Sequence, residues 1–151
     1  MHSDTMIQVD LKPMQAISGW QDFLKEGKAY LKTAVGAHAR RRDIFSAEIL
    51  YNIIAMAIEK FVMAALMRHG AMPYNHTMGD LVEAMEETFC GAMGEMKEKL
   101  LALDKYQEIC DLETYTIRPP AMEEIPEMLR LAKQLESLII DTLLQEQSAA
   151  D

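Results

Sequence analysis

The sequence predicts an all-α protein, an antiparallel up-and-down bundle of four to five helices. Three observations predict it. Half of the 151 residues are apolar, and they alternate with charged residues at the spacing of amphipathic helices. The 7 glycines and 5 prolines gather at a few breaks instead of recurring at short intervals, as many short strands would require. The 13 methionines are good helix formers that fill irregular gaps, so they are expected to line a core or a subunit interface and not a metal site. A chain of this length holds one domain with a real core and is short for two. Residues 1–13 read as a flexible N-terminus, 14–147 as one bundle and 148–151 as a disordered tail.

The first helix is expected from about Met14 to Ala39, with Ile17, Trp20, Phe23 or Leu24, Leu31 and Val35 on its apolar side. Asp43 is the expected N-cap of a second helix over about Ile44 to His69, since its carboxylate can accept a free backbone N–H. That helix is apolar over most of its circumference. Ile49, Ile53, Met56, Lys60, Met63 and Met67 form one line, and Ile54, Ile58, Phe61 and Leu66 another. It must therefore be covered on more than one side, which makes it the centre of the bundle and a candidate dimer surface. Asn52, inside ILYNIIAMAI, is the polar residue expected to be buried there, setting register or dimer specificity.

Gly70 ends this helix and Pro73 keeps the chain out of it. A third helix starts near Thr77, a good N-cap with Asp80 three positions on, and buries Leu81, Met85, Phe89 and Met93. Gly91 and Gly94 mark a bend. A fourth segment from about Glu95 to Asp111 turns Met96, Leu100, Leu103 and Ile109 inward. Pro119 and Pro120 stop it, because proline disfavours the helical conformation in the residue before it. The last helix begins near Met122, accepts Pro126 in its first turn, and repeats Ile125, Met128, Ala132, Leu135, Ile139 and Leu143.

The formal net charge of −9 argues against a broad, sequence-independent grip on nucleic acid. Arg40, Arg41 and Arg42, beside His38, are the one basic patch; they either stabilise a helix C-terminus or contact a phosphate. Cys90 and Cys110 lack further ligands at zinc spacing, and whether they pair is open. His38, His69 and His76 match no ligand motif, so no metal and no cofactor is expected. Glu-x-x-His, His-Glu-x-x-His, Gly-x-Ser-x-Gly and the phosphate-loop glycine patterns are all absent. The N-terminus has no basic stretch followed by an apolar one, and the longest uncharged stretch, Ile49 to Ile58, is shorter than a membrane span. A cytoplasmic protein is the expectation.

Between Ala47 and Ala84 the apolar helix carries Glu59-Lys60, breaks at Gly70 and Pro73, and restarts with His76-Thr77-Met78-Gly79-Asp80-Leu81. Further on, LLALDKYQEICDLETYTIRPP closes on Arg118, Pro119 and Pro120. In this order, over residues 15 to 145, the chain resembles the HEPN family of small helical domains. There a central helix with a Glu/Ala-Lys step leads through a turn into a His-x-x-x-Leu start, and a leucine- and tyrosine-rich stretch closes on Arg-Tyr-Pro. Arg118 and Pro120 take the first and last places of that tripeptide, Pro119 replaces its tyrosine, and Tyr115 stands about one residue closer to the arginine than usual.

Some members of that family cut RNA, and others only bind a nucleotide or a partner. The cutters carry an arginine followed after four to six residues by a histidine. Histidine moves the 2′-hydroxyl proton and arginine stabilises the developing phosphorane charge. None of Arg40, Arg41, Arg42, Arg68, Arg118 and Arg130 has a histidine at that distance. The resemblance then implies a non-catalytic, homodimerising domain that binds a nucleotide or phosphate-bearing ligand near Lys60, His76, Arg118 and Tyr115. It implies a place beside a small nucleotidyltransferase in a toxin–antitoxin-type pair. Each residue keeps a structural alternative. The Lys60 ammonium can snorkel to solvent or meet a carboxylate, His76 can help cap the third helix, and Arg118 can pair with a carboxylate. Two other functions stay open: a divergent metal-independent RNase assembled from Arg68, His76 or Arg118 across a dimer, and an interaction bundle with no small ligand.

Overall fold

The computed structural model describes residues 15–106 and 119–144. Among them every regular element is helical. Helix α1 spans Trp20–Arg40, α2 Ala47–Arg68, α3 Met78–Thr88 and α4 Met96–Leu101, which a 3₁₀ turn extends through Ala102–Tyr106. A second 3₁₀ turn, Met122–Glu124, leads into α5, Ile125–Leu138, whose last turn widens to a π-helix at Ile139–Leu143.

Helix α2 is the centre. Its buried residues run almost without interruption from Phe61 to Met67, and Leu50, Ile54, Ile58, Phe61 and Leu66 are sealed from solvent. By length and composition α2 could cross a membrane, yet most of it is buried inside the fold. Counting only the uncharged stretch Ile49 to Ile58 understates it, because the apolar run resumes at Phe61 after Glu59 and Lys60.

The helix starts differ from expectation in two places. Asp43 is not the cap of α2. Ser46 is, its hydroxyl accepting the Ile49 N–H at 3.2 Å, while Asp43 stands 4.0 Å from Arg41. Ile44 and Phe45 lie in the turn before the cap, where an apolar residue fixes the entry of the chain. Helix α1 begins at Trp20, not near Met14, because Gly19 takes a left-handed φ of 95° just before it. Small residues dominate its buried line, which is Gly27, Leu31, Ala34 and Ala37. Trp20, Phe23, Leu24 and Val35 are only partly buried. An apolar-periodicity count gives Gly and Ala little weight, yet they let α1 lie close on α2.

The end of α2 forms as expected. Gly70, at φ 75°, donates to the Met67 carbonyl at 3.0 Å and Ala71 to Leu66 at 2.8 Å, a Schellman pair that satisfies the last carbonyls. Thr77 caps α3, accepting the Asp80 N–H at 3.1 Å. Leu81, Met85 and Met93 are buried as expected, as are Ile125, Met128, Ala132, Leu135, Ile139 and Leu143 on α5.

The order of directions is not simply up and down. The Ile17 N–H donates to the Met67 carbonyl at 2.7 Å, so the start of α1 meets the end of α2 and the pair is antiparallel. After Gly70 the chain doubles back along α2 before α3 begins. His76 reaches Glu59, and Met78 lies among Asn52, Ala55 and Met56, whereas Phe89, just past α3, stacks edge-on against His69 at 4.6 Å. Helix α3 thus runs in the same direction as α2. Helix α5 does too: Tyr51, near the start of α2, packs on Tyr106, which bonds Glu124 at the start of α5, and His69 Nε2 lies 3.2 Å from the Leu143 carbonyl at its end.

Candidate functional site

The doubled-back connection creates the site. It lays His76 beside the exposed side of α2, where Asn52, Ala55, Met56, Glu59, His76 and Met78 line a pocket of about 240 Å³. His76 Nδ1 is 3.0 Å from Glu59 Oε1. Asp104 holds the far wall in place. Its carboxylate accepts the Met78 N–H at 3.1 Å and the Gly79 N–H at 3.0 Å, satisfying two free donors at the start of α3 and complementing the helix dipole. Behind it, the Tyr51 hydroxyl donates to the Leu103 carbonyl at 3.0 Å. Burial, then the charge of Asp104 and the neighbouring Tyr106, push the Tyr51 phenol well above its ordinary value.

Along the same side of α2, Ile49 and Met56 are 45% and 41% exposed, Ile53 is half-buried and Asn52 is exposed. This corrects the burial expected of Asn52: it is exposed, on the side of α2 that the described helices leave uncovered. Ile44, Met72 and Tyr74 are further exposed apolar side chains.

Lys60 and His76 are not brought into one pocket. Lys60 turns to α1, where its ammonium meets Glu26 at 3.0 Å and sits 4.5 Å from the centre of the Phe23 ring. Only 20% of its side chain is exposed, so this pairing is what offsets taking the charge out of water. The counter-charge comes from Glu26 of the same chain. His76 does not cap α3, a task that falls to Thr77 and Asp104. Arg118 and Tyr115 lie outside the described residues, as does Cys110, while Cys90 is a free, exposed thiol.

The basic triplet closes α1. Arg40 is the last residue of α1 and Arg41 its C-cap, and Arg42 Nε donates to the His38 carbonyl at 2.7 Å, which suits cations at a helix C-terminus. Desolvation first, and then the Arg42 charge, lower the His38 pKa from its ordinary value. A larger groove of about 350 Å³ lies between α4, its 3₁₀ extension and α5, with Leu103, Met128 and Leu131 on its walls and Lys99, Lys105 and Glu127 among its polar residues.

Chemically, the pocket can accept hydrogen bonds at Glu59 and Asn52 and exchange them at His76. The lining residues include neither a hydroxyl, thiol or amine nucleophile nor an arginine. Among the described residues no three of His, Cys, Asp and Glu come together as a metal site. Arg68, one member of the RNase alternative, lies over the Trp20 ring at 5.5 Å. The residues that sequence reasoning missed are Glu59 as the partner of His76 and Asp104 as the clamp on α3. Both pairings span 17 or more positions and leave no local signal.

No family model, no curated protein and no solved structure matches this chain.

Proposed function

We propose that this protein is a non-catalytic, HEPN-like helical domain that homodimerises through the exposed side of α2. It acts by binding rather than turnover, in the cytoplasm, as the partner of a small nucleotidyltransferase. The observation that carries the dimer is the uncovered stripe Ile49, Ile53 and Met56 on the most apolar helix of the fold. Large apolar side chains at helical spacing on one uncovered face are what a partner surface offers. The net charge of −9 favours a protein partner over extended nucleic acid. A nucleotide or phosphate-bearing ligand would sit near His76, which is the more exposed of the two side chains, and not at Lys60, which is turned to Glu26 on α1.

Light scattering on a concentration series tests the dimer. The expected mass is twice that of the chain, falling to one chain for Met56→Lys, because a substitution at a two-fold interface is felt twice. A monomer at every concentration removes the proposal. The ligand is tested by thermal shift with nucleoside mono-, di- and triphosphates. Ligand at a hundredfold its dissociation constant adds about 2.7 kcal/mol, which His76→Ala should diminish. No shift with any nucleotide leaves a partner domain without a small ligand.

A further inference from the structure

We infer that two copies of the chain pair through α2 in antiparallel register, with the two-fold axis between Asn52 and Ile53, and that each copy's Arg41-Arg42 turn meets the other's Glu59. The inference rests on the homodimer reading and adds the orientation, the register and the charged contacts.

The stripe is built symmetrically about its middle. Ile49 and Met56 stand at its ends, with Asn52 and Ile53 between them. A two-fold axis at that midpoint sets Ile49 against the partner's Met56, apolar on apolar. It also brings the two Asn52 amides within reach of each other. An amide carries both donors and acceptors, so a second copy of itself satisfies it, whereas a purely apolar partner would leave it unpaired.

The charges favour the same direction. The exposed Arg40, Arg41 and Arg42 precede α2 and outnumber the exposed Asp43 and Glu48 at that end, and Glu59 stands past the other end of the stripe. Parallel pairing would set Glu59 on the partner's Glu59 and the arginine turns on each other. Antiparallel pairing opposes the two signs. At about 1.5 Å per residue, Glu59 and Ser46 lie about 10 Å from the axis on opposite sides. The partner's Arg42, four residues before its Ser46, then stands beside Glu59. The partner's turn would therefore lie along the edge of the His76 pocket.

Cysteine cross-linking in a Cys90→Ser, Cys110→Ser background tests the register. A mixture of Ile49→Cys and Met56→Cys chains is expected to form the disulfide-linked dimer under mild oxidation, and Ile49→Cys alone to form little. Equal linking of Ile49→Cys to itself would establish a parallel pair, and a dimer by light scattering that links in neither case would place the interface elsewhere. Either result overturns the register while leaving the dimer. A monomer by light scattering overturns both. The charges are tested separately. Glu59→Arg is expected to weaken association about tenfold, and Arg42→Glu in the same chain to restore it. No rescue overturns the Arg42–Glu59 contact.

Discussion

Gly27 sets how closely α1 can lie on α2. A Cβ there would stand 2.8 Å from two ring carbons of Phe61 and 3.2 Å from Lys60 Cβ. Phe61 is fully buried and has nowhere to swing. Alanine has the better helix propensity, by up to about 1 kcal/mol, but overpacking costs about 1–3 kcal/mol. Gly27→Ala should therefore lower stability in urea titration; a gain would mean that the helices are not in such close contact. Tyr51 makes the second prediction. Its phenol is held above the ordinary value of 10.0 by burial and by Asp104, so the folded state keeps a proton that the unfolded state releases. That stability is fully present below pH 10.0 and declines as pH rises above it. Tyr51→Phe should flatten this alkaline decline in pH-resolved denaturation. An unchanged slope would show that the hydroxyl is not shielded as described. Neither residue announced its role in the sequence. Gly27 looked like one more helical residue, and Tyr51 one more member of an apolar run, because the atoms they meet come from other elements.

At the scale of elements, α3 depends on a residue outside itself. Thr77 caps it locally, and this was legible because a Thr followed three positions on by an acidic residue is a short-range signal. Asp104, twenty-six positions beyond Met78, was not legible. Asp104→Ala removes acceptors from two backbone donors of a partly buried helix start, which should cost about 1–3 kcal/mol. Amide exchange in α3 should accelerate more than in α2. Equal protection in the variant would remove the clamp from the account. The start of α2 shows the opposite error. Asp43 has the chemistry of a cap, but the helix begins three residues later at Ser46, since both residue types suit that position and the turn geometry chooses between them.

For the whole molecule, the direction in which the chain runs determines which surface remains open. Because α3 and α5 run alongside α2 and α1 runs against it, the helices cover Phe61 and its neighbours and leave Ile49, Asn52 and Met56 uncovered. A dimer formed on that side is linked to folding by mass action, so the melting temperature should rise with protein concentration. Met56→Lys should make it independent of concentration. A wild-type melting temperature that does not move over a hundredfold dilution would count against association.

Legible in the sequence were the helical character of the described residues, the breaks at Gly70 and Thr77, the central place of α2, and the residues of α5 that turn inward. All of these follow from periodicity, capping and turn chemistry that act within a few residues. The tertiary structure alone decided that Lys60 meets Glu26 while His76 meets Glu59, that Asp104 holds α3, and that Asn52 faces outward. Adjacent positions on a helix point about 100° apart. Which of those directions meets another helix depends on the path of the connection from Gly70 to Thr77, and no local pattern encodes that path.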